Sequence, residues 1–148
     1  MLKEDLSEIF KRDIRKVISE INLYSNEENI WKVKEGVKNS AGNLCLHLTG
    51  NLKYFVGSLL GSLDYERNRE AEFSNQRVQR KDIVRSLEET EEIVTATIRN
   101  LNEETLWENF PSEIFKRKVT TAYFLIHLTG HLNYHLGQIS YHRRLFDR

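Results

Sequence analysis

Five histidines, His47, His127, His131, His135 and His142, are the residues best suited to chemistry in this chain. Three of them recur at i, i+4 and i+8 inside an apolar run, FLIHLTGHLNYHLGQ. Each buried imidazole has two ring nitrogens that need partners, and a metal ion supplies one partner per ring. Histidines one helical turn apart can both reach one ion, the spacing of helix-borne zinc sites. His127 and His135 cannot share an ion in this way, because about 12 Å of helix rise separates them. One ion can therefore take His127 with His131, or His131 with His135. A further ligand must come from another helix, and His47 is the other histidine in an apolar setting, within LCLHLTGNL. The competing reading is a polar core network of histidines with Tyr134 and Gln138, or surface histidines on a helix more exposed than its apolar run suggests. His142 lies beyond the apolar run, beside Arg143 and Arg144, and reads as structural or solvent-facing.

Four long helices would position these residues. Leu2, Leu6, Ile9, Phe10, Ile14, Val17, Ile18 and Ile21 fall at helical spacing, with charged residues on the opposite face. Ser25 to Lys38 reads as a connection anchored by Trp31. Asn39 or Ser40 can cap a second helix, nearly all apolar through Gly61. Ile83, Val84, Leu87, Val94, Ile98 and Leu101 mark a third, with Glu88, Glu89, Glu91 and Glu92 on its exposed face. Asn102 to Lys118 reads as a packed loop carrying Trp107, Phe110, Pro111 and Phe115. Thr120 or Thr121 can cap a fourth helix running to about Phe146. The pattern predicts an all-α four-helix bundle over residues 1–148 as one domain, its second and fourth helices the more deeply buried. The connections exceed the usual helix–helix loop of about 2–8 residues, so tight up-down turns are not required.

Composition narrows the function classes. The 148 residues hold 22 Lys plus Arg against 22 Asp plus Glu, which argues against nucleic acid or an acidic membrane as the partner. One cysteine, Cys45, excludes an internal disulfide and a multi-cysteine zinc site. It lies two residues before His47, on a different helix face, and reads as a small core residue. No apolar run approaches the ~18 residues of a spanning helix, and the charged N-terminal stretch is unlike a signal peptide, so a cytoplasmic protein is expected. Asp64, Glu66, Glu70 and Glu72 lie among Arg67 and Arg69 and read as a solvated, salt-bridged segment, with Glu72 or Arg69 at a pocket mouth as the alternative.

Leu44–Gly57 and Phe124–Gly137 align without a gap at an offset of 80 residues, and seven of the fourteen positions are identical. The simplest reading is a duplicated helical hairpin with a pseudo-twofold relating the second and fourth helices. Gly50 and Gly57, like Gly130 and Gly137, lie seven apart and share a helix face. Glycine costs a helix about 1 kcal/mol relative to alanine, so the matched glycines suggest close backbone approach between those helices, or room for aromatic rings.

Trp31 with NSAGNLCLHLTGNL, then RNREAEF, then HLTGHLNYHLGQISYHRRL, together resemble the DinB/YfiT-like superfamily of bacterial four-helix proteins, and most closely its uncharacterised small-protein subgroup. The resemblance covers nearly the whole chain, and its most specific element is H-x3-H-x-GQ combined with the upstream HLTGN. It implies a bundle whose metal ligands are one histidine from the second helix and the H-x3-H pair from the fourth: His47, His131 and His135. His127 then becomes a packing or orienting residue, and Asn51, Tyr134 and Gln138 join it as candidates for orienting ligands or substrate. The implied cofactor is a divalent metal, zinc or nickel first, with iron or manganese as alternatives. The implied activity is a thiol S-transferase working on a small-molecule thiol and an electrophile. A metal-dependent hydrolase, or a non-catalytic stress-related metal-binding or interaction protein, is the alternative. A homodimer is expected.

Overall fold

The amphipathic pattern of the first segment becomes α1 (Leu2–Asn22), which buries Leu6, Phe10, Ile14, Val17 and Ile21 along one stripe. The computed structural model describes residues 1–148. α2 (Ala41–Leu52) starts where Ser40 accepts a hydrogen bond from the Asn43 amide, 3.1 Å, the second of the two expected caps. Its last turns widen into a π-helical stretch, Lys53–Ser58, so the regular helix ends before the expected Gly61. A six-residue helix, α3 (Arg69–Ser74), interrupts the polar stretch and is capped by Asn68. α4 (Arg80–Asn100) and α5 (Thr121–Phe146) are the third and fourth helices of the pattern, and Thr120 is the cap of α5. α1 packs along α4 and α5, while α2 lies against α3, α4 and α5. Apolar side chains from α1, α2, α4 and α5 merge into one core.

The connections are fastened by polar residues and aromatic rings. Asp147 accepts from the Ser25 and Asn26 amides and from Asn29, tying the end of α5 to the turn after α1. Those donors hold its carboxyl well below the usual range. His142 is structural, as one of the two readings had it: Nε2 donates to the Lys32 carbonyl, 2.8 Å, leaving Nδ1 to accept from Tyr24, 2.6 Å. Trp31 packs its ring edge where a Cβ on Gly42 would sit. Trp107 departs from expectation, being 65% exposed. Its loop is anchored instead by Phe110, stacked on Phe124 with ring centres 3.8 Å apart. Cys45 is a buried core residue, and burial pushes its thiol up.

Two further expectations are corrected. The fourth helix of the pattern is expected to be among the more deeply buried, but α5 buries only Thr121, Ala122, Phe124, Leu125, Leu128, Leu132, Ile139 and His142. Tyr123, Ile126, Tyr134, Tyr141 and Leu145 fall on its other side and are exposed. The matched glycines do not mark a crossing of α2 and α5. A Cβ on Gly50 would overlap the Glu72 carboxylate, and one on Gly57 would crowd Leu63 and Ile93. Gly130 and Gly137 have open space around them. The same residues therefore do different work in the two copies of the repeat.

Candidate metal centre

α2 and α5 bring His47, His131 and His135 together. His131 Nε2 lies 3.2 Å from His47 Nε2 and 3.1 Å from His135 Nε2. The three can offer one ligand atom each, all within 4.8 Å of one another. A tetrahedral zinc site with Zn–N of 2.0–2.1 Å has an N···N edge of about 3.3 Å, so the spacing suits an ion held by all three.

Proton placement points the same way. The Glu72 carboxylate lies 3.0 Å from His47 Nδ1 and can only accept, so that nitrogen donates and Nε2 is bare. Gln138 Oε1, 2.6 Å from His135 Nδ1, does the same for the second ring. His131 can place one proton on Nε2 and satisfy one of the two facing lone pairs, not both. Its Nδ1 is buried without a partner in either tautomer. A cation satisfies all three Nε2 lone pairs at once. Burial holds the three rings in the neutral, ligating form: it lowers His47 against the opposing pull of Glu72, lowers His135, and takes His131 down to about 4 with help from its two neighbours.

The surrounding residues fall out unevenly. Asn51, one turn along α2 from His47, is buried with its amide oxygen unpaired. Gln138 orients His135 directly. Tyr134 is 66% exposed and meets His135 through the edge of its ring, 5.4 Å between centres. His127 aligns with His47 in the repeat, yet it stands outside the cluster on the surface and packs against Phe115, 4.8 Å. The second copy thus contributes to the cluster at His131 and His135, where the first has Asn51 and Phe55.

Within the acidic segment Glu72 departs from the solvated reading, while Asp64, Glu66 and Glu70 are exposed as that reading has them. Glu72 is 5% exposed, and Arg67 grips both of its oxygens at 2.8 Å. Asn43 fixes the backbone around it, donating to the Glu72 carbonyl, 3.0 Å, and the Asn75 carbonyl, 2.7 Å. Phe73 covers His47, 4.9 Å between ring centres. The signal available in the sequence was Asn68, a cap that starts a short helix carrying Glu72 and Phe73, but spacing alone does not say what that helix packs against.

The arrangement defines a class: an all-α bundle carrying a histidine triad on two of its helices, α2 and α5. A crystal structure of a DinB-like protein from Bacillus cereus ATCC 10987 shares the fold, with a TM-score of 0.76 over 96% of this chain and 91% of that one at 15% identity. The chain belongs to the family described as Protein of unknown function (DUF1572), which matches residues 3–148. No curated protein matches it. No helix is long and apolar enough to cross a membrane.

Proposed function

We propose that the protein binds one divalent cation, zinc or nickel before iron or manganese, through His47, His131 and His135, and uses it to join a low-molecular-weight thiol to a small electrophile. The observation that supports the metal site is the convergence of three Nε2 atoms whose lone pairs the protons of the three rings do not all satisfy; the thiol chemistry is what the resemblance implies. Closed structural zinc sites take four protein ligands, whereas three leave a position open for a reactant. Three neutral imidazoles leave the full +2 charge on the ion, which when bound would favour the thiolate form of a thiol.

The chain's own residues would orient and admit the reactants. Glu72 and Gln138 fix the rings of His47 and His135. Asn51 Oδ1 and His131 Nδ1 are a buried acceptor and a buried donor without a protein partner. A groove of about 420 Å³, lined by Leu44, Gln138, Tyr141 and Leu145 among others, begins one turn from His47 on α2 and one turn from His135 on α5. That volume suits a small molecule, and its apolar wall suits an electrophile with a hydrophobic body. Like the larger hollows near Trp31 and near Arg80, this groove is not lined by any of the three histidines themselves and reaches them only through their helix neighbours Leu44 and Gln138. The exposed stripe of Tyr123, Ile126, Tyr134 and Tyr141 on α5 supports pairing with a second copy as a homodimer.

The test is turnover of a chloro-nitroaromatic with a panel of biological thiols, using zinc- and nickel-loaded protein. A rate above the thiol-plus-metal background, lost in His131→Ala, is expected. Metal-loaded protein that binds its ion but gives no such rate with any thiol would favour a non-catalytic metal-binding role.

A further inference from the structure

The polar stretch around α3 lies against α2 as a strap, and Glu72 joins it to the histidine cluster. We propose that Glu72 is the positioning residue for His47, and that it couples docking of this strap to occupancy of the metal site. The proposal rests on the metal reading above and adds a segment of chain that the ion would order.

Four observations carry it. First, a six-residue helix has no stability of its own, so α3 persists through what it is fastened to. Its attachments converge on His47: the Glu72 carboxylate on Nδ1, the Phe73 ring on its face, and Asn43, one turn before His47 on α2, on the Glu72 and Asn75 carbonyls. Second, the Arg67–Glu72 pair is buried, and burying an ion pair is seldom a net source of stability. A placement with that cost calls for a use, and the neighbouring imidazole supplies one. Third, Arg67 engages both carboxylate oxygens, so Glu72 can turn away from the ring only by giving up those two hydrogen bonds. Fourth, α2 carries glycine at position 50, where any Cβ would meet that carboxylate, whereas Gly130 in the other copy faces nothing.

Coupling follows from the chemistry of the ring. A cation on Nε2 withdraws charge from the imidazole and makes Nδ1–H a stronger donor, and hydrogen bonds with an ionised partner are the strong ones. The docked carboxylate in turn makes Nε2 a better ligand. By thermodynamic reciprocity, the factor by which the strap improves metal affinity equals the factor by which metal favours the docked strap.

The experiment uses the full chain, titrated with zinc against a chromophoric chelator. Hydrogen exchange across residues 64–79 is followed with and without zinc. Glu72→Gln is expected to weaken zinc binding by about 10–100-fold, the usual effect of losing such a partner. Zinc is expected to slow exchange of the strap in the wild type and to slow it much less in Glu72→Gln. Equal zinc affinity in the two proteins, or a wild-type strap that exchanges at one rate with and without zinc, overturns the coupling while leaving the metal site standing. A wild type that takes up no zinc overturns both.

Discussion

The sequence HLTG occurs twice, at His47–Gly50 and His127–Gly130, and alanine at its glycine should act in opposite directions in the two copies. Both glycines are helical, so each substitution gains about 1 kcal/mol of helix propensity. At Gly130 the new methyl meets nothing within 4 Å, and that gain should appear as stability. At Gly50 the methyl occupies the place of the Glu72 carboxylate, which is bound to Arg67 through two hydrogen bonds and to His47 through one. Glu72 is the end of a flexible side chain and can move, but only by giving up partners. Hydrogen bonds to charged groups contribute about 1.5–3 kcal/mol each. Losing one outweighs the propensity gain, and losing two leaves a net destabilisation of about 2–5 kcal/mol. Urea denaturation of metal-free protein, at concentrations low enough to keep chains apart, measures both variants against wild type. Gly50→Ala should be less stable than Gly130→Ala by at least about 1.5 kcal/mol, roughly 3–6 °C in Tm for a chain this size. If Gly50→Ala and Gly130→Ala gain stability alike, Glu72 is not seated against α2 as described.

Three other outcomes follow from the same structure. Burial sets His131 near 4 and lowers His47, His135 and His142, against about 6.5 for an exposed imidazole. The unfolded chain therefore takes up these protons first as pH falls. The histidine contribution to the stability of the metal-free protein should be complete above about pH 6.5 and be lost between about 6.5 and 4, with a further loss below that as the depressed carboxyls of Asp147 and Asp13 are protonated. The decline should be shallower in His131→Gln, and denaturation curves that do not change across that window would contradict the burial of the rings. Tyr24→Phe removes the donor to His142 Nδ1 and leaves a buried acceptor unpaired, a loss of about 1–3 kcal/mol readable by thermal melting. Sedimentation should give a dimer for the wild type and a monomer for Tyr134→Glu combined with Tyr141→Glu, while a monomeric wild type would leave the exposed face of α5 without its expected partner.

The amphipathic helices were legible because their apolar residues mark one stripe and their charges the other: Leu6 to Ile21 in α1 and Ile83 to Ile98 in α4 are buried as spaced. The caps Ser40 and Thr120 were legible for the same local reason. α5 was misread because tyrosine and isoleucine serve equally as core and as exposed contact surface, and a helix apolar all round does not say which side meets the bundle. Within the site, i and i+4 spacing placed His131 beside either neighbour but left the choice open. The choice of His135 depends on where α2 crosses α5, which is a tertiary fact. Glu72 was hidden for the opposite reason. Surrounded by Arg67, Arg69 and Glu70, it carries the composition of a solvated segment, and only the path of the chain back to α2 buries it. The repeat misled as well as helped, since His127 matches His47 in sequence and takes no part in the cluster.

The account depends on three imidazoles sharing one ion, and metal content measures that directly. Protein purified without a histidine tag, and its His131→Ala variant, should be compared by elemental analysis after identical treatment. About one divalent metal per chain in the wild type and none in the variant is the predicted result. Equal metal in both, or none in a wild type offered zinc and nickel, would contradict it.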